Sequence, residues 1–232
     1  MPLLNVQNYS KWFVQHHTNQ HIPVFANLSF LLRSGEFGLV RGNNGAGKST
    51  LLRCLYRTYL PSEGQAIYAS LQGSLDLARA ADVDIAFLRR TEIGYIDERP
   101  RLRTRVHVVE QVLEPLLGMG HDLREAQHIA HEWLAEFGMQ RRLWNAFPHS
   151  LSYGEQQKVQ LICMLIIPRR LLLLDEPDTA LDGAARATLV DHLHQLKAQG
   201  VAMLGVCHHT AGIASLVDWE LALPVESLPV RG

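Results

Sequence analysis

One run of residues has the types and spacing needed to grip a phosphate chain. It reads Gly42-Asn43-Asn44-Gly45-Ala46-Gly47-Lys48-Ser49-Thr50. It fits the pattern G-x-x-x-x-G-K-[ST], with Gly42, Gly47, Lys48 and Ser49 in the fixed positions. The glycines let the backbone curl until its N–H groups point inward at phosphate oxygens. The N-terminus of a following helix would add partial positive charge. Lys48 brings a full charge to the outer phosphates, and the Ser49 hydroxyl can ligate Mg²⁺. A second chemical feature lies far downstream. Asp175 and Glu176 stand side by side directly after the apolar run Leu171-Leu172-Leu173-Leu174. Two acids at the carboxyl end of a buried strand sit where sites form on parallel sheets.

These residues need elements to hold them. Residues 37–41 read as a short strand before the phosphate loop, and 51–56 are apolar enough to begin a buried helix. Residues 3–9 alternate weakly, like an edge strand, and 24–32 also read as a strand. His16, His17 and His21, with Asn19, fall in a loop without the spacing of a metal site. Residues 66–71 and 93–96 read as strands, with helical character over 76–90. Apolar positions 106, 109, 112, 113, 116 and 117 define a helical face. Asp122 with Glu125 resembles a capping box opening a helix that Gly138 closes. Asp182 can cap a helix with Leu189, Leu193 and Leu196 inward. Residues 201–206 and 219–225 read as strands. The middle third is therefore helical, and both flanks alternate strand and helix. The expected fold is α/β, with helices inserted into a parallel-sheet core.

Composition sets limits. The 232 residues are 47% hydrophobic, enough for a sizeable core. Lys plus Arg total 22 and Asp plus Glu 23, so the charge does not suggest a nucleic-acid binder. Cys54, Cys163 and Cys207 are odd in number and far apart, which suits free thiols in a reducing compartment. Residues 1–20 lack the apolar segment of a signal peptide. The longest apolar stretch, 161–174, is interrupted by Pro168, Arg169 and Arg170 and falls short of a membrane span. A cytoplasmic protein is expected, reaching any membrane through a partner. Arg99, Arg101, Arg103 and Arg105 crowd into seven residues. They form an exposed loop or a docking surface for an acidic segment.

Four pieces occur in order: GNNGAGKST (42–50), LSYGEQQ (151–157), LLLLDEPDTALD (171–182), and His208 after a strand. Together they resemble the ATP-binding cassette (ABC) ATPases over nearly the whole chain. The resemblance implies a single P-loop NTPase domain over 1–232. Its α/β core, with an N-terminal antiparallel β subdomain, would span 1–97 and 161–232. A helical subdomain would span 98–160. The segments NVQNYSKWF, STLLRCLYRTYLPSEGQ, EQVLEPLL, RRLW and LGVCHH further resemble the PhnL-type cassettes of the carbon–phosphorus lyase pathway. That likeness implies a soluble ATPase subunit of phosphonate breakdown. The alternatives are the nucleotide-binding subunit of a membrane transporter, and an ATP-binding regulatory subunit without turnover.

The resemblance also implies roles. The cofactors are ATP and Mg²⁺. Residues 42–50 hold the phosphates. Phe13 stacks on adenine, with Trp12 as a substitute. Ser49, Asp175 and Glu98 are metal ligands. Glu176 handles the attacking water, Lys48 contacts the outer phosphates, and His208 contacts the γ-phosphate. Ser152 and Gly154 face the ATP of the other subunit in a head-to-tail dimer, and residues 179–182 touch that interface. The partner is a second copy, a PhnK-like cassette, other carbon–phosphorus lyase subunits, or a membrane permease that docks near Glu98 and the arginines. Departures from the family pattern stand at Tyr153 (for Gly), Glu98 (for Gln), Cys163 (for Arg), Asp178 (for Thr) and His209 (for Asp). Glu98 would act on the ATP this chain binds and Tyr153 on the partner's, so a heterodimer would separate two defects that a homodimer combines.

Overall fold

The computed structural model describes residues 1–15, 17, 20–207 and 212–223. Two sheets organise them. The first is antiparallel, in the order β2-β1-β4-β5, from β1 (Leu4–Gln15), β2 (Gln20–Leu32), β4 (Glu63–Ser70) and β5 (Gly73–Asp76). The second is parallel, in the order β6-β7-β8-β3-β9, from β3 (Phe37–Arg41), β6 (Ile93–Ile96), β7 (Leu171–Asp175), β8 (Ala202–Val206) and β9 (Trp219–Ala222). Helix α1 (Lys48–Leu55) follows β3, and α2 (Asp82–Thr91) precedes β6. Helices α3 (Val108–Gly118), α4 (Leu123–Glu136) and α5 (Tyr153–Leu165) fill the middle of the chain, and α6 (Gly183–Ala198) follows β7.

The parallel sheet divides the interior in two. Side chains on a strand alternate between faces. Leu172 and Leu174 therefore pack into one core with α3, α4, α5 and α6, represented by Val112, Leu134, Val159 and Leu189. Leu171 and Leu173 pack into the other, with α1 and the antiparallel sheet, through Leu51, Leu55, Tyr9 and Tyr68. All four leucines are essentially inaccessible. Burying each stabilises the fold by about 1.5–3 kcal/mol.

Strand β1 is not the edge strand its weak alternation suggests. It pairs on both sides, with β2 and β4. Register shifts around Asn8, which has φ 49°, break its period and so blur the pattern. The helix expected over 76–90 starts later, at Asp82. Asp76 instead closes β5, its Oδ1 accepting from the Ala66 and Ala78 amides, both at 3.0 Å. Asp122 caps α4 as expected, accepting from the Arg124 and Glu125 amides. His21 lies within β2, stacked on Trp12; His16 and Asn19 lie outside the described residues. The last strand ends at Ala222. Glu92 locks the two sheets together. Although only 2% exposed, it accepts from the Tyr68 hydroxyl, Ser70 hydroxyl, Leu71 amide and Arg170 guanidinium. A buried carboxylate is tolerable when so fully bonded.

Candidate functional site

The phosphate-loop residues connect β3 to α1. Gly45 and Gly47 take left-handed φ values of 83° and 92°. At Gly47 a Cβ would also fall 2.5 Å from Val24 Cγ1, so glycine is required twice over. The Ala46 amide donates to the Asn43 carbonyl at 3.1 Å, closing the turn. Lys48 Nζ bonds the Gly42 and Asn43 carbonyls at 2.8 and 3.0 Å, which holds the ammonium over the loop. No side chain caps the N-terminus of α1, and its first turn carries no acid. Its leading N–H groups are thus available to an anion.

Asp175 ends β7 and is fully buried. Its Oδ1 accepts from the Ser49 hydroxyl at 2.8 Å, and its Oδ2 from the Tyr95 hydroxyl at 2.9 Å. Burial holds its carboxyl above the ordinary range, against the pull of those two bonds. Arg53 Nε reaches Tyr95 at 3.3 Å, and Arg53 also pairs with Asp97 at 3.3 Å. Sequence reasoning missed Tyr95 and Arg53, which lie outside the motifs and meet Asp175 only through the fold. The convergence of the Ser49 hydroxyl and a carboxylate suits a hard divalent cation such as Mg²⁺. A cation here would also relieve the charge that burial disfavours.

Glu176, one residue on, is placed quite differently. Its φ is 49°, left-handed for a side chain that rarely adopts it, and its amide donates to the Val206 carbonyl at 2.8 Å. Strain of this kind, held by the surrounding strands, turns the side chain out of the sheet. Glu176, Glu98, Asn44, Gly45, Gly47, Lys48, Ser49 and Thr50 line a cavity of about 510 Å³, with Ile22, Pro23 and Val24 of β2 as its apolar side. That volume is in the range of small-molecule sites. The Thr179 hydroxyl lies 3.4 Å from Glu176 Oε2.

The other expected residues divide. Phe13 is not among the cavity's lining residues; its ring meets Tyr59 edge-on, with Lys11 Nζ 4.7 Å from its centroid. Trp12 is stacked on His21. His208 and His209 lie outside the described residues. Ser152 is exposed and caps α5 reciprocally with Glu155; the S-x-x-E spacing signals this box in the sequence. Gly154 abuts the loop after Glu176, where a Cβ would stand 2.6 Å from the Ala180 carbonyl. Cys163 is buried, its thiol pushed up to about 12 by burial. The departures at Glu98 and Tyr153 are not separate: the Tyr153 hydroxyl donates to the Glu98 carbonyl of the same chain at 2.6 Å.

A second cavity of about 380 Å³ opens behind residues 97–103. Arg53, Tyr56, Asp97, Arg101, Arg103 and Glu114 are among its lining, with Cys163 and Met164 of α5 at its apolar side. Arg101 pairs with Asp97 at 2.9 Å and Arg103 with Glu114.

Comparison with known proteins agrees with this geometry. Residues 25–179 match the family model described as ABC transporter. The chain is 35% identical over 177 residues to the lipoprotein-releasing system ATP-binding protein LolD of Koribacter versatilis, covering 75% of this chain and 77% of that one. It is 30% identical over 213 residues to the histidine/lysine/arginine/ornithine transport ATP-binding protein HisP of Escherichia coli, covering 88% and 80%. Among solved structures, an ATP-binding subunit of an ABC transporter superposes with a TM-score of 0.79 at 25% identity, covering 95% and 85%. A dimeric cassette in a post-hydrolysis state with ADP and Pi shares the fold, with a TM-score of 0.83 at 24% identity and coverage of 95% and 94%. With the phosphate loop, the Asp175–Glu176 strand end and the two-sheet architecture in place, the chain belongs to the ABC transporter family of ATP-binding cassettes.

Proposed function

We propose that this chain binds and hydrolyses MgATP as the nucleotide-binding subunit of a membrane transporter, at the cytoplasmic face, in a head-to-tail dimer. The observation that carries the transporter reading is the cavity behind residues 97–103. Asp97, Arg101 and Arg103 line it while Glu98 lines the phosphate-loop cavity, so one stretch of chain lines both. A helix of a permease seated there would move the same segment that meets ATP. The named relatives are ATP-binding proteins of release and transport systems, which favours this partner.

The chemistry follows from the cavity. The loop amides, the α1 N-terminus and Lys48 bind the phosphate chain. Ser49 and Asp175 hold the metal, with Glu98 within the same lining. Mg²⁺, when bound, supplies charge neutralisation at the phosphate oxygens. Glu176 accepts the proton of the attacking water on its carboxylate. Thr179 steadies that carboxylate. The cassette opposite would present its own Ser152 and Gly154 to the nucleotide.

The second reading, a soluble ATPase of the carbon–phosphorus lyase pathway paired with a PhnK-like cassette, is favoured by the five sequence segments NVQNYSKWF to LGVCHH. One experiment separates the readings. A tagged Glu176→Gln chain is recovered from its native cells with Mg-ATP, and the co-purifying proteins are identified by mass spectrometry. Integral membrane permeases are expected. Soluble phosphonate-processing subunits would replace the first reading with the second. Phosphate release by the unmodified complex is then measured, and its absence would leave a regulatory subunit that binds ATP without turnover.

A further inference from the structure

The bond between Tyr153 and Glu98 spans 55 residues of sequence and is not used by the function proposed above. It sits at a junction. Tyr153 is the first residue of α5, directly after the exposed cap Ser152. Glu98 belongs to the segment that lines the phosphate-loop cavity. Farther along the same helix, Gln160 Nε2 donates to the Asp97 carbonyl at 2.7 Å, and Gln160 Oε1 accepts from the Arg101 amide at 3.0 Å. Residues 97–101 therefore hang from α5 at three points. On its other side, α5 is fastened to the loop that follows Glu176. Gln157 Nε2 donates to the Pro177 carbonyl at 3.3 Å, and Lys158 Nζ to Asp182 at 2.7 Å. Gly154 presses on the Ala180 carbonyl. The start of α5 thus touches both acid-bearing sides of the cavity.

Within this arrangement the phenol has a distinct task. The Asp97 carboxylate is held by Arg53 and Arg101. Gln160 holds the backbone on either side of residue 98. Tyr153 fixes the carbonyl of residue 98 itself. A glycine in its place could not reach. The residue stays 47% exposed, so it contributes little core packing, and the reach of its hydroxyl is what distinguishes it.

We infer that Tyr153 is a positioning residue for Glu98: its hydroxyl fixes the backbone at residue 98 so that the Glu98 side chain stays at the cavity. This rests on reading the cavity as the MgATP site.

The test compares the full chain with Tyr153→Phe, Glu98→Ala and the double variant. Two readouts are taken. One is the Mg²⁺ concentration that half-saturates binding of a fluorescent ATP analogue. The other is the rate of limited trypsin cleavage at Arg99–Arg105, with and without Mg-ATP. Loss of one hydrogen bond at residue 98 is expected to raise both the half-saturating Mg²⁺ and the nucleotide-free cleavage rate roughly 3- to 10-fold. The half-saturating ATP at excess Mg²⁺ should stay within about twofold. In the Glu98→Ala background, which has no side-chain oxygen at residue 98, adding Tyr153→Phe should no longer shift the Mg²⁺ dependence, because the two act through one coupling. An unchanged Mg²⁺ dependence and cleavage rate in Tyr153→Phe overturns the inference, as does an equal Mg²⁺ shift with Glu98 already replaced. A thermal melt of each variant shows that it is folded. If the unmodified chain binds no ATP analogue and Lys48→Ala changes nothing, the nucleotide reading itself falls; binding with a silent Tyr153→Phe removes only this inference.

Discussion

The candidate cavity has two acidic walls, and they are built in different ways. One is the strand-end wall: the phosphate loop after β3, and Glu176 after β7, with Asp175 buried at the end of that strand. Its parts are neighbours in sequence or sit on strands of one sheet, β3 and β7, with only β8 between them, and Ser49 and Asp175 are joined by a single 2.8 Å bond. The other wall is Glu98, carried on the segment of residues 97–101. Its place depends on side chains from far along the chain, Tyr153 and Gln160 of α5 and Arg53 of α1. A wall made of consecutive backbone on a rigid sheet can hold reacting groups to a fraction of an ångström. A wall hung from a helix by hydrogen bonds can shift as that helix shifts. On the function proposed here, the reacting groups and the segment that Tyr153 positions thus rest on different kinds of support.

Substitutions can break this division. The largest effect is expected at Glu176. Glu176→Gln should slow ATP hydrolysis by roughly 10²- to 10⁴-fold while ATP binding persists, as measured by phosphate release and analogue binding. Normal turnover would take the proton-accepting role away from the strand-end wall. Next, Lys48→Ala should weaken ATP binding on the order of 100-fold, because charge-assisted bonds to phosphate are lost. Unchanged affinity in a titration would mean that the loop does not hold the phosphates.

A smaller effect sharpens the contrast without any turnover. Burial holds the Asp175 carboxyl above its ordinary range. A raised value means that the fold binds this proton more tightly than the unfolded chain does. The stabilising contribution is therefore complete below the ordinary carboxylate range and disappears as pH rises through the raised value. Without metal at neutral pH, Asp175 is then a net cost to the fold. Asp175→Asn should raise Tm by roughly 2–4 °C for each kcal/mol relieved, and should abolish the stabilisation that Mg-ATP gives the unmodified chain. A lower Tm in differential scanning without metal would show that the Ser49 and Tyr95 bonds outweigh burial.

How much of this was legible in the sequence follows the same line. The strand-end wall was readable because its signals are local. Gly47, Lys48 and Ser49 keep fixed spacing, and four leucines announce a buried strand before Asp175. Helix starts at Asp122 and Asp182 were readable for the same reason, since a cap acts within three residues. The hung wall was not. Glu98 and Tyr153 stand out in the sequence as departures that the family resemblance places at different nucleotide sites, and only the fold shows them bonded. Tyr95 was lost in an unremarkable strand, although it shares Asp175 with Ser49. Strand β1 was mistaken for an edge because its register shifts at Asn8 erase the alternation on which the reading depends. The left-handed Glu176 leaves no mark in residue type at all.

Strand β7 has one more consequence. Leu171 and Leu173 belong to one core, Leu172 and Leu174 to the other, and all four ride on the same backbone. Loss of that strand would expose apolar surface of both cores at once. The lobes should therefore share one cooperative transition. Scanning calorimetry should give a single peak whose calorimetric and van't Hoff enthalpies agree, and Leu173→Ala should lower that peak as a whole without splitting it.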